Sequence, residues 1–327
     1  MSENFWKKLN RPIFVLAPMA DVTDCAFRQI INKYGKPDVF WTEFVSADGL
    51  AHPEAREKLL IDLKFDKNEH PIVAQIFGSN IDNIKEAAKL CQKLGFDGID
   101  INMGCPDKSI EKQCCGAAMI KDPKLARSII RAAKEGAPNL PISVKTRIGY
   151  NKNEIETWIR ELLSEDLAVL TVHLRTRKEM SLVPAHWDLM QRVVEIRDEM
   201  KKDTLILGNG DALNLEDAKQ KVKDTGCDGV MLGRAIFGNP FLFANKNVLS
   251  GVEGQMASLE KKLNVMVEHT KLFEEMLGGI KNFAIMKKHY KAYVNGFEGA
   301  KELRMKLMEA KDANEVEAIT DDFLEML

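Results

Sequence analysis

A chain of 327 residues, 45% hydrophobic and 29% charged, has the balance of a soluble globular protein, with room for one large domain and an appendage. Its 47 basic and 49 acidic side chains leave a formal net charge of −2, which neither announces a nucleic-acid binder nor excludes one. No apolar run reaches bilayer length, none near the N-terminus has signal length, and the six cysteines lack a framework spacing, so the expectation is a cytoplasmic protein with reduced thiols.

In chain order, short apolar runs rich in Val, Ile and Phe alternate with longer segments of helical period. The runs are "PIFVLAPM" from Pro12, "PDVFWTEF" from Pro37, "PIVAQIFG" from Pro71, "GIDINMG" from Gly98, "PISVKTRIG" from Pro141, "AVLTVHLRT" from Ala168, "TLILGNGD" from Thr204 and "DGVMLGRA" from Asp228. Helical segments lie between them, among them "NIDNIKEAAKLCQKLG", "PKLARSIIRAAKEG", "NEIETWIRELLSED" and "NLEDAKQKVKDTG", several closing on glycine. Strands apolar on both faces and covered by helices belong to parallel sheets, and eight β/α units are the number that closes a TIM barrel. An open doubly wound sheet would carry a glycine-rich turn after its first strand, and "APMADVTD" is not one.

After about Asn239 the strand pattern stops, and Ser258 to Leu327 reads as helix broken at Gly278-Gly279, Gly296 and Gly299. The expected organisation is an α/β TIM (β/α)8 barrel over residues 1–245, followed by a smaller all-helical domain over 246–327.

In such a barrel the chemistry sits at the C-terminal ends of the strands. Here those ends carry Pro18, Met19 and Ala20, then Gln75, then Asn102 leading to Cys105. Lys145 and Arg147 follow on one side of strand five with Thr146 on the other, then His173 and Arg175, then Asn209-Gly210-Asp211, then Gly233-Arg234. Glycines after strands seven and eight lie where barrels bind phosphate through backbone N–H groups, and an arginine there supplies bidentate charge. The set suits a phosphorylated planar cofactor rather than a metal. Each residue alone has an ordinary structural reading; their placement at one end of successive strands is what those readings do not account for.

Cys105 with Cys114 and Cys115 matches no zinc spacing, and the compartment disfavours a disulfide. Cys114 and Cys115 are expected to pack as small hydrophobes at a helix start. Cys105 follows a glycine at a strand end and faces the mouth, where nucleophile and proton donor are both open roles.

The motifs "APMADVTDCAFR", "QIFG", "GIDINMGCP" with "CCGAAMI", "VKTRIG", "VHLRTR", "GNGD" and "VMLGRAIFGNP" resemble, in order and spacing, the tRNA-dihydrouridine synthases. The C-terminal "MKKHYKAY" and "ELRMKL" are similar to that family's helical domain, so the resemblance covers nearly the whole chain. It implies an FMN-bound barrel followed by a tRNA-binding domain. NADPH (or NADH) would reduce the flavin, hydride would pass to C6 of a uridine, and a cysteine would protonate C5 to give 5,6-dihydrouridine. By this resemblance Cys105 is the donor, Asn102 holds the uracil edge and Arg147 assists. Pro18, Met19 and Ala20 would line the isoalloxazine, with Gln75, Lys145 and His173 hydrogen-bonding it. Asn209, Gly210, Asp211, Gly233 and Arg234 would hold the ribityl chain and phosphate.

A uracil inside a folded RNA must be extruded to reach a barrel mouth, while phosphate contacts position the molecule. Lys281, Lys287, Lys288, Lys291, Lys301, Arg304 and Lys306 offer a basic face for those contacts, with Lys287, Lys288, His289 and Arg304 as substrate-binding candidates. His289, Tyr290 and Tyr293 either stack on bases or pack inward. The loop "LRTRKEMSLVPAHWD" departs from many members of the family, which puts a target position out of reach. The alternative enzyme is an FMN-dependent dehydrogenase or reductase of a free pyrimidine, like dihydroorotate dehydrogenase. An RNA-binding protein without catalysis is a third reading that nothing in the sequence favours. A monomer is expected, since a large substrate needs an open approach.

Overall fold

The computed structural model describes residues 4–244 and 252–327, with side chains described outside 252–258. The chain forms two compact units, one made of residues up to Met19 together with Asp38–Gly233, the other of Ala20–Pro37 together with the chain from Arg234 onward. The boundary expected at 245/246 falls outside the described residues. The grouping also sets the first helix, Cys25–Tyr34, with the C-terminal helices.

In the first unit all eight apolar runs become strands, β1 (Ile13–Leu16), β2 (Phe40–Ser46), β3 (Ile72–Phe77), β4 (Gly98–Met103), β5 (Ile142–Arg147), β6 (Val169–His173), β7 (Leu205–Asn209) and β8 (Gly229–Leu232). They are parallel in the order β1-β8-β7-β6-β5-β4-β3-β2. Across the remaining seam the Asp38 N–H donates to the Phe14 carbonyl at 2.9 Å, and the Asp38 carboxylate accepts from the Phe14 N–H at 2.6 Å. A TIM barrel is the result, as the run count predicts.

Burial on both faces explains the composition of these strands. Every residue of β4, β7 and β8 is buried, the condition under which an alternating pattern disappears. Covering helices run over Ile81–Leu94, Pro123–Gly136, Ile155–Leu163, Met190–Glu199 and Leu215–Thr225. The first of these shows both end signals: Asn80 accepts from the Asn83 N–H, and Gly95 closes the helix at φ +88°, where a Cβ would be strained.

The barrel interior is layered. Its N-terminal half is apolar, with Ile13, Val15, Val39, Trp41, Val73, Val169, Leu205, Leu207 and Met231 in one cluster that Trp6 joins from the leading 3-10 helix. The half towards the C-terminal ends is polar, and that change of character positions the site.

The second unit contains Cys25–Tyr34, Val252–Leu277, Met286–Tyr293, Ala300–Glu309 and Ala313–Leu324. Gly279, Gly296 and Gly299, at φ +73°, +80° and +77°, fall between its helices where the breaks were expected. Phe27 stacks on His269 at 4.8 Å and meets His289 edge-on at 4.8 Å, and the two imidazoles lie 4.6 Å apart. Lys33 and Tyr34 both reach Glu268, at 2.6 and 2.5 Å. No helix among the described residues is long and apolar enough to cross a membrane.

Candidate active site

Strand parity builds the polar layer. Asp100 and Asn102 on β4, Ser143 and Lys145 on β5, and Thr171 and His173 on β6 sit two residues apart on their strands, on one face of each, and register pairs Asn102 with Lys145 and His173 with Asn209. Thr146 faces the other way, where its hydroxyl donates to the Met103 carbonyl at 3.0 Å and accepts from the Trp158 indole at 2.9 Å.

Cys105 follows this layer at the end of β4 and is half-buried. The Asn102 side-chain oxygen accepts from the Cys105 N–H at 2.9 Å and the Gly104 N–H at 3.1 Å, so the chain turns around that carboxamide. The Cys105 carbonyl accepts from the Ala117 N–H at 2.9 Å. Gly116, at φ +60°, makes that approach possible: a Cβ there would lie 2.6 Å from the Cys105 carbonyl oxygen. Burial pushes the thiol pKa up, against smaller opposing effects that include the charges of Lys145 and Arg147. At neutral pH the sulfur therefore carries its proton.

Lys145 is half-buried on β5, opposite Asn102. Burial, reinforced by the charge of Arg147, lowers its ammonium to about 8, while Asp100 pulls the other way. Among the described residues no acceptor lies within hydrogen-bonding distance of its Nζ. Arg147, buried and lowered to about 10, donates to the Gly104 carbonyl at 2.8 Å and to the carbonyls of Thr176 and Met180 at 3.1 and 3.0 Å. All three contacts are to backbone, so Arg147 braces the Cys105 turn against the β6 loop. That position supports the turn that carries Cys105.

Gln75 is fully buried, with its amide donating to Asp100 at 2.6 Å and its oxygen accepting from Asn102 at 3.0 Å. It therefore sits beneath Asn102, not on the open surface of the mouth. Asn102 itself keeps a small exposed area.

Pro18 and Met19 are half-buried beyond β1, and a Cβ on Gly233 would meet only Ala17 at 3.6 Å and Met19 at 3.9 Å, which leaves room beside the β8 end. Asn209 donates to the Met231 carbonyl at 2.8 Å, and the Gly210 carbonyl accepts from the Trp187 indole at 2.7 Å. The Asp211 carboxylate pairs with Arg175 and accepts from the Ala185 N–H at 2.9 Å. Arg175 also approaches His173 Nε2 at 3.2 Å and donates to the Val183 carbonyl at 2.6 Å. Asp211 thus anchors the β6 loop. Ala20 and Arg234 are exposed and belong to the second unit.

In that unit Lys287 is half-buried, Lys288 is exposed beside Asp21 at 3.2 Å, and Arg304 donates to the Val294 carbonyl at 3.0 Å. His289, Tyr290 and Tyr293 are each fully buried. A side chain with no exposed surface cannot stack on a base, so His289 is a core residue and the substrate-binding expectation for it is corrected. Cys115 is buried as expected, whereas Cys114 is exposed at φ +59°. All six thiols are free, and no group of three or more potential metal ligands occurs among the described residues.

Two residues of the site were not singled out from sequence. Arg175 read only as a strand end. Asp100 was passed over although an acid in the middle of a strand buried on both faces, two residues before Asn102, had to point into the polar layer.

Comparison with known proteins joins this geometry to a family. The family model described as "Dihydrouridine synthase (Dus)" matches residues 15–327. A probable tRNA-dihydrouridine synthase of Staphylococcus aureus is 40% identical over 325 residues, 99% of this chain and 96% of its own. A probable tRNA-dihydrouridine synthase 2 of Bacillus subtilis is 41% identical over 324 residues, 99% of this chain and 97% of its own. Among solved structures, a 2-naphthoyl-CoA reductase complex aligns with TM-score 0.53 at 11% identity, over 74% of this chain and 52% of that one. The 6-hydroxypseudooxynicotine amine oxidase of Pseudomonas geniculata N1 aligns with TM-score 0.51 at 12% identity, over 71% and 46%. These distant likenesses speak for the barrel alone. The match over nearly the whole length, with relatives at this identity, decides the matter: the chain belongs to the dihydrouridine synthase family.

Proposed function

We propose that this protein reduces the C5–C6 double bond of uridines in tRNA to 5,6-dihydrouridine, using FMN at the barrel mouth and NADPH as reductant, with Cys105 as the acid. The observation that carries the reading is the state of Cys105. Its thiol is half-buried, is pushed towards the protonated form, and is held on a turn fixed by Asn102 at the end of the strand that neighbours Lys145. A protonated thiol can give its proton to a developing carbanion; a metal ligand or a nucleophile would need the opposite shift.

The residues present fit the cofactor. Lys145 offers an ammonium with no acceptor among the described residues, in a setting where burial strengthens its attraction to an anion or carbonyl oxygen. Gly233 leaves open space beside Met19, and Gly210 supplies a short turn at the end of β7. Pro18, Met19, Lys145 and His173 would hold the ring system, and Asn209, Gly210 and Gly233 the ribityl phosphate. FMN bound there would supply the hydride for C6, with NADPH as its reductant. The chain's own residues do the rest: Asn102 and Arg147 hold the Cys105 turn, the Asn102 amide keeps a small exposed face for the base, and Cys105 Sγ–H delivers the proton to C5.

Lys287, Lys288 and Arg304 are the candidates for phosphate contacts of the tRNA, acting as positioning charges without reading sequence. A free-pyrimidine substrate is less well supported, since the relatives that match over nearly their whole length are named for tRNA. The protein is read as a cytoplasmic monomer. The test is direct. Purified protein should release FMN on denaturation and form dihydrouridine in unmodified tRNA with NADPH, and Cys105→Ala should keep the flavin and lose the product. A colourless protein that takes up no FMN, or a Cys105→Ala variant with full turnover, would overturn it.

A further inference from the structure

We propose that Asp100 is a positioning residue that orients Gln75 and Asn102 and, through them, seats Cys105. The chain of contacts is continuous. The Asp100 carboxylate accepts from Ser143 Oγ at 2.6 Å on one oxygen and from Gln75 Nε2 at 2.6 Å on the other. Gln75 Oε1 accepts from Asn102 Nδ2 at 3.0 Å, and Asn102 Oδ1 accepts from the N–H groups of Gly104 and Cys105 at 3.1 and 2.9 Å.

A carboxamide can turn over and exchange its oxygen and nitrogen at almost no cost in shape, so two in series have no inherent direction. An ionised carboxylate accepts only, and Asp100 can face nothing but the nitrogen of Gln75. That leaves the Gln75 oxygen for Asn102, whose nitrogen is then committed and whose oxygen must face the Cys105 turn. Backbone N–H groups, which only donate, close the far end. The relay is thus fixed in one sense between an acceptor and two donors, and each bond polarises the next. Asp100, Gln75 and Ser143 are at most 1% exposed, so no water competes for these partners at the buried end. The role rests on the reading of Cys105 as the reacting group only where turnover is concerned; the seating of the thiol can be measured without it.

The experiment is alkylation of the resting protein with iodoacetamide, followed cysteine by cysteine by peptide mass spectrometry, together with turnover on tRNA. Fully buried Cys91 and nearly buried Cys227 serve as internal reporters of general loosening. Asp100→Leu removes the acceptor and should alter the Cys105 alkylation rate by about tenfold and cut kcat by roughly 100-fold, the scale of a 1 Å misplacement, with KM for tRNA little changed and Cys91 and Cys227 still protected. Asp100→Asn can still turn an oxygen towards Gln75 while Ser143 accepts its amide, and should keep the Cys105 alkylation rate within a few-fold of the parent. An unchanged Cys105 rate in Asp100→Leu, or an equal change in both variants, would overturn the relay. If Asp100→Leu loosens the whole barrel, so that Cys91 reacts as well, Gln75→Leu breaks the same relay at its middle and must reproduce the selective change at Cys105; protection unchanged there would overturn the proposal. A relay seen by alkylation in a protein that never modifies tRNA would leave the seating intact and reject only the function.

Discussion

Mild acid should destabilise the helical unit, and the effect follows from two side chains. His269 and His289 are fully buried, and none of their ring nitrogens has a hydrogen-bond partner among the described residues. Burial, with the charge of Lys288 added, lowers His289 from 6.5 to about 3, and burial with its neighbour His289 drives His269 the same way. In the unfolded chain both regain the ordinary value. Between about 6.5 and 3 the unfolded state therefore binds protons that the folded state refuses, and stability falls as the pH falls through that window. His289 costs about 1.4 kcal/mol per pH unit below 6.5, so at pH 5 it alone removes roughly 2 kcal/mol, out of the 5–15 kcal/mol typical of a domain, and His269 adds a loss of the same sign. Asp24, whose carboxyl burial pushes up, opposes this by taking its proton first in the folded state. Urea unfolding at pH 7 and pH 5 should show the loss in the parent and a much smaller one in His269→Leu/His289→Leu, which retains Asp24 and so subtracts its effect. Equal losses in the two proteins, or ring NMR signals assigned to His269 or His289 that titrate near 6.5 in the folded protein, would refute the reasoning.

Other perturbations have equally definite outcomes. Gly116→Ala places a Cβ 2.6 Å from the Cys105 carbonyl at a positive φ, so turnover should drop by about 100-fold while flavin content holds; full turnover would show that the turn adapts freely. Lys145 loses its proton as the pH rises through about 8, so kcat/KM should fall on the alkaline side with a midpoint near that value; in Lys145→Arg, which stays charged, the limb should move upward. Asp211→Asn removes the partner of nearly buried Arg175 and should loosen the β6 loop, read as faster amide exchange across residues 176–185. Unaltered exchange there would mean that Arg175 is held by the Val183 carbonyl and His173 alone.

The barrel was legible because its signals are local. Eight buried runs, helical segments between them and the polar residues at their ends all lie within short windows of sequence, and strand parity correctly sent Lys145 and Arg147 one way and Thr146 the other. The relay was harder to see because its cross-strand bonds join residues 25 to 43 positions apart, across strands whose register no local pattern specifies. Even so, Asp100 shared parity with Asn102 and was available to reading. So was the burial of His289: Met286, His289, Tyr290 and Tyr293 follow the i, i+3, i+4, i+7 spacing of a helix face turned to a core, whereas Lys287, Lys288 and Lys291 fall on the other side. What no local pattern could say is which partner the apolar face of Cys25–Tyr34 would choose.

That choice bears on how the protein is made. Phe27, Ile30 and Ile31 are buried in a unit whose other helices begin more than 200 residues later, so the helix leaves the ribosome long before Val252–Leu277, on which it packs, has been synthesised. For that interval an amphipathic segment waits with its apolar side uncovered, a natural client for a chaperone and a nucleation point for aggregation. Stopping translation short of the last helices would not yield a tidy catalytic core. It would strand the N-terminal helix without its partner, and loss of solubility on C-terminal truncation should be traceable to that one exposed face.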